Sequence, residues 1–154
     1  MKRLLLSLTV LVTPLGLANA TPELAAQWGH DAAALHIEVD QQMRAVKAGI
    51  GGRGDVPEHF AEQVYRFSID AEKLGRWIDQ TPDTADLGCI FRGMAEEADV
   101  QLRKLETAQT LAASASALER LEKLFDDAEA ISAAALSASG ANAMSAHSGC
   151  KAGH

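Results

Sequence analysis

Apolar side chains recur in this sequence at steps of three and four, and that period constrains the fold more than any other feature. Leu24, Trp28, Ala32, Leu35, Val39, Met43 and Val46 make a first seam. Phe60, Val64, Phe67, Ala71, Leu74 and Ile78 make a second, and Leu87, Phe91, Met94, Ala98, Leu102 and Leu105 a third. Leu118, Leu121, Phe125 and Ala128 resume the pattern in a fourth. An α-helix turns once in about 3.6 residues, so each seam is the buried stripe of an amphipathic helix. Strand signals are missing, because β-branched and aromatic residues are few and never alternate. The class is all-α.

Punctuation residues divide the seams. Thr21 before Pro22 and Glu23 reads as an N-cap with proline at the first helical position. The first helix should stop at the glycine-rich segment 49–54, which reads as a flexible inter-helix loop. Asp55, with Glu58 three residues on, matches a capping pattern, and Pro57 suits a first turn. The second helix ends at Gln80-Thr81-Pro82-Asp83, and a third starts near Asp83 or Thr84. No Gly or Pro occurs between Gly93 and Gly140. One helix over 84–137 would still be roughly 80 Å long at the usual rise, too long for such a domain to cover. The seam loses phase after Leu105, so a break is expected between Thr107 and Ser116. Ser116-Ala117-Leu118-Glu119 offers a capping box, and the fourth helix should run to about Ser137.

Four such helices with short connections favour an up-and-down four-helix bundle. The start of the first helix, the end of the second, the start of the third and the end of the fourth then share one end. Trp28, Trp77, Leu87 and Phe91 become candidates for one aromatic layer there. Aligning Trp28 with Trp77 would set His36 against Ile69 and His59 against Val46. The two imidazoles would be roughly 15 Å apart along the axis, too far to share an ion.

The first twenty residues read as an address. Lys2 and Arg3 precede an apolar run over 4–17, and Ala18-Asn19-Ala20 puts small side chains where signal peptidase needs them. Cleavage is expected before Thr21, giving a signal peptide 1–20, a bundle domain 21–138 and a flexible tail 139–154. The run is shorter than the roughly 20 apolar residues of a spanning helix, so no membrane insertion is expected after cleavage. The implied destination is the periplasm or the exterior. Removing Lys2 and Arg3 leaves 12 basic against 21 acidic residues. That balance repels phosphate backbones and argues against nucleic acid.

Both cysteines lie in the exported part, where disulfides can form. Cys89 falls in the first turns of the third helix, and Cys150 about a dozen residues past the fourth, whose end is expected beside those turns. A Cys89–Cys150 bridge would close a loop of about 60 residues, worth roughly 4 kcal/mol on the chain-entropy estimate.

Catalytic motifs fail on inspection. Gly49-x-Gly51-x-x-Gly54 spells a dinucleotide-binding pattern, but a helix precedes it and no βαβ unit surrounds it. Arg53-Gly54-Asp55 is an adhesion tripeptide by spelling only. No Cys-x-x-Cys-His, no Glu-x-x-His pair and no nucleophile elbow occurs, so no catalytic residue is assigned and an enzyme is not expected.

Five histidines survive cleavage. His36 and His59 flank their seams and read as hydrogen-bonded boundary residues. The tail gathers His147, Cys150 and His154 within eight residues, and His30 lies at the same end of the bundle. Such a set could bind Cu or Zn, which favour imidazole and thiolate, although a disulfide would consume Cys150. The competing reading is a disordered Ala/Ser/Gly tail pinned by the bridge, with no cofactor. The alanine-rich stretch 108–143 and a core with only seven aromatic residues suggest an apolar face left for a partner. The expected function is therefore non-catalytic binding of a protein partner or homodimerisation, with a Cu- or Zn-binding protein as the alternative.

Overall fold

A computed structural model describes residues 22–80 and 85–140. Four helices follow in order: α1 Pro22–Lys47, α2 Glu58–Ile78, α3 Ala85–Glu106 and α4 Leu111–Gly140. Each packs on the next around the ring and α4 closes on α1, the arrangement of an up-and-down four-helix bundle. The tightest pairs are α1 with α4 and α2 with α3. No helix among the described residues is long and apolar enough to cross a membrane.

The seams point inward. Trp28, Phe60, Phe67, Phe91 and Phe125 are fully buried, with Leu35, Val39, Val64, Leu74, Leu118 and Leu121 between them. Side chains of this size contribute about 1.5–3 kcal/mol each on full burial. The aromatic layer differs from the expected one. Trp28 stacks on Phe67 at 4.7 Å between ring centroids and meets Phe91 edge-on at 5.1 Å, and Phe67 meets Phe125 at 5.0 Å. Trp77 and Leu87 only pack against this core from its edge. The register of α1 on α2 is thus Trp28 to Phe67, ten residues from the Trp28 to Trp77 alignment.

Small residues set the two tight pairs. A Cβ at Gly29 would lie 2.1 Å from Ser132 Oγ, so α1 and α4 approach where one has no side chain. A Cβ at Gly75 would lie 3.1 Å from the carbonyl oxygen of Gly88, and Ser68 Oγ donates to the carbonyl of Ala95 across the same interface. A side chain at either glycine would push the helices apart, which is why packing and not propensity keeps glycine inside them.

Helix ends differ from the sequence pattern in two places. Pro57 is the N-cap of α2, with no side-chain cap, so Asp55 does not cap that helix. Asp55 instead closes a turn, its N–H donating to the carbonyl of Gly52 at 3.3 Å. The break before α4 covers residues 107–110, and Thr110 caps the helix by accepting from the N–H of Ala113 at 3.1 Å. Ser116 is an exposed residue inside α4 and starts nothing. The expected cap at Thr21 lies outside the described residues.

The glycine loop is docked. α1 closes with a Schellman motif, Ile50 N–H to Ala45 carbonyl and Gly49 N–H to Val46 carbonyl, with Gly49 at φ +75°. Arg53 and Gly54, at φ 60° and 83°, form the left-handed centre of the turn that Asp55 closes. The N–H of Arg53 donates to Ser114 Oγ at 2.8 Å, and a Cβ at Gly54 would lie 2.6 Å from the carbonyl oxygen of Glu106. The α1–α2 loop therefore rests on the α3–α4 turn and locks that end of the bundle.

Candidate functional site

Charge disappears from α4 after Glu129. Along the remaining turns Ala130, Ala133, Ala134 and Ser137 are exposed. Beside them runs the outer face of α1. Gly29 touches Ser132, and His36 Nδ1 lies 3.7 Å from Glu129 Oε1, so the row between them borders this stretch of α4. Ala33 sits in that row, one helical turn from both. Ile37 follows His36 on the outer side and is 63% exposed, with Ala34 exposed one turn before it. Close approach at Gly29 sets Ala33 and the exposed His30 of α1 near the charge-free turns of α4, while Ile37 lies farther along α1, next to the His36–Glu129 contact.

Its electrostatics are set by the rim. Glu129 marks one limit and Asp40, paired with Arg44 at 2.7 Å, marks another. The residues of an interface centre are generally depleted in charge, and the turns of α4 after Glu129 have that composition, with Ser132 buried against Gly29. Among the described residues, the other exposed large apolar side chains, Ile50, Tyr65 and Ile90, belong to the α1–α2 loop, α2 and α3.

The residues singled out for metal binding are only partly placed. His30 is an exposed residue of α1 on the face just described. His147, Cys150 and His154 lie outside the described residues. Among the described residues no three His, Cys, Asp or Glu side chains converge as a metal group. Cys89 is half-buried near the start of α3, with Arg92 Nη2 3.6 Å from its sulfur, and it carries no free thiol.

His36 and His59 are corrected in position. His59 Nε2 lies 2.6 Å from Glu38 Oε1, which sets His59 almost level with His36 along the axis instead of far below it. They still do not meet, because one turns from α1 toward α4 and the other faces α1 from α2. Around the ring, His36–Glu129 and His59–Glu38 join α1 to its neighbours, whereas Arg92–Asp79 and Arg120–Glu97 join α2 to α3 and α3 to α4.

Periodicity missed Gly29, Ser132 and Ser114, all buried and all positioning groups. The signal available in the sequence was small residues in phase with a seam, which pattern counting scores as solvent-facing. The chain matches no known protein-family model, curated protein or solved structure.

Proposed function

We propose that the chain is exported and that its mature part acts without catalysis, by binding protein through the uncharged outer face of α1 and α4. The observation that carries this reading is the row of Gly29 and Ala33 on α1 beside the charge-free turns of α4, with exposed Ile37 one turn beyond that row, where His36 meets Glu129. An isolated exposed isoleucine is ordinary on a protein surface, but one at the edge of an alanine row shared by two helices extends an area that can be buried while desolvating few charges. A second copy of the chain is the first partner to consider. The chain carries a net charge of −7, so two copies repel wherever their carboxylates meet and least where charge is missing. A two-fold pairing would place this face against itself.

Export belongs to the same proposal and is supported by the charged start, apolar run and small-residue cleavage site of residues 1–20. So does a Cys89–Cys150 bridge, supported by the absence of a free thiol at Cys89. Sedimentation velocity of the mature protein across a hundredfold range of concentration tests the self-association. A reversible dimer that Ile37→Asp dissociates, with helicity and melting unchanged, is the expected result. A monomer at every concentration would remove the second copy as partner.

A further inference from the structure

We propose that a second surface, the groove between α2 and α3 around Tyr65, docks a basic peptide segment of another protein through an arginine or lysine side chain. Tyr65 is the only tyrosine of the chain and is 58% exposed. It stands over a groove of about 430 Å³ whose floor is Ala61 and Leu102. The sequence builds this from two matching rows. Glu58, Ala61 and Tyr65 follow one another at three- and four-residue steps on α2, and Asp99, Leu102 and Glu106 do the same on α3. The Ser68 to Ala95 hydrogen bond fixes the antiparallel register, which brings Tyr65 opposite Asp99 and Glu58 opposite Glu106. The groove is thus about two helical turns long, roughly 10 Å at the usual rise.

The occupant follows from charge and shape together. Glu62 shares its charge with Arg66 at 3.2 Å. Glu58, Asp99 and Glu106 form no salt bridge among the described residues. Arg103 is the one cation of the lining. Three carboxylates outside any ion pair, against the single guanidinium of Arg103, leave the lining net acidic around an apolar floor and disfavour an acidic or purely apolar partner. They suit a side chain with an aliphatic stem and a cationic head, whose stem covers Leu102 and whose head lies over the face of Tyr65. A guanidinium can stack on the ring and be bracketed by carboxylates at the same time, which a compact ammonium does less well. A second copy is a poor fit, since its surface is itself acidic.

This inference keeps the reading of the protein as a binding module but uses a different face, so the two fail separately. The test is titration of the whole mature protein, labelled with nitrogen-15, with an acetylated and amidated tetra-arginine peptide at low salt. Expected are amide shifts concentrated at residues 58–65 and 99–106 and an affinity that falls about tenfold in Tyr65→Ala, the size of one cation–π contact. Tyr65→Phe should stay within about threefold, because the ring face and not the hydroxyl makes the contact. Glu58→Gln with Glu106→Gln should weaken binding at least as much as Tyr65→Ala, and Ile37→Asp should leave it unchanged. The inference is overturned if shifts spread over every acidic surface, if Tyr65→Ala binds as well as wild type, or if no binding is seen at millimolar peptide. Spermidine binding as tightly as the peptide would also overturn it, by making this a small-cation site.

Discussion

The indole N–H of Trp28 donates to the main-chain carbonyl of Phe67 at 3.1 Å, inside the core and across two helices. The bond satisfies the one polar atom of a fully buried side chain, and the stacked ring of Phe67 covers its face. It makes a single register of α1 on α2 better than its neighbours, because a slide by one turn leaves a buried donor without a partner.

Trp28→Phe should therefore cost more than its lost volume. The expected loss is about 2–4 kcal/mol, from a cavity and from the missing hydrogen bond together. Urea unfolding with an unchanged slope would measure it. A loss below about 0.5 kcal/mol would mean that the indole contact does not set the register.

Three glycines should respond to alanine in different directions. Gly54→Ala combines φ +83° with a Cβ 2.6 Å from a main-chain oxygen, and should lose more than the ~1–2 kcal/mol of left-handed backbone alone. Gly51→Ala, with φ +73° and nothing within 4 Å, should lose only that backbone cost. Gly93 lies within α3 with open space around it, so Gly93→Ala should stabilise by roughly 0.5–1 kcal/mol. Thermal melts of the three variants, ranked, give the check.

Caps separate the sequence pattern from the folded helix. Thr110→Ala removes the acceptor for the N–H of Ala113 and should cost about 1 kcal/mol. Ser116→Ala and Asp55→Ala remove side chains that cap nothing and should stay within about 0.5 kcal/mol. Equal effects at Thr110 and Ser116 in chemical denaturation would contradict the observed start of α4.

Export and the bridge have a joint signature. A native mass spectrum of untagged protein isolated from the oxidising compartment, without reductant or chelator, should begin at Thr21 and be two hydrogens light. A bound Cu or Zn with both thiols intact would instead favour the tail of His147, Cys150 and His154, with His30, as the functional site.

Nearly all of the core was legible in the sequence, because burial follows period. Every apolar position of the second seam from Phe60 to Ile78 is buried, as are Phe91, Leu102 and Leu105 of the third. Register was not legible. It depends on which small residues face each other, such as Gly29 with Ser132 and Gly75 with Gly88, and a glycine has no hydropathy to betray its partner. The large aromatic pair Trp28 and Trp77 suggested one alignment, and close helix approach elsewhere selected another. The start of α4 was hidden for a related reason. Residues 112–117 are all alanine or serine, so the period is weak, and the break expected between Thr107 and Ser116 contains the observed one at 107–110 without singling out the cap at Thr110 over the box at Ser116. The α1–α4 surface was anticipated only as composition, since alanine richness does not say which alanines a neighbouring helix leaves uncovered.

The central claim is that this surface meets protein, and site-specific photo-crosslinking in the compartment where the protein resides tests it most directly. A photoreactive residue is placed in turn at Ile37, at Ala133 and, as a control on the exposed charged part of α4, at Glu119. The account predicts a discrete adduct, to a second copy or to one partner, from Ile37 and Ala133 and none from Glu119. No adduct from the first two positions, or the same adducts from all three, would contradict it.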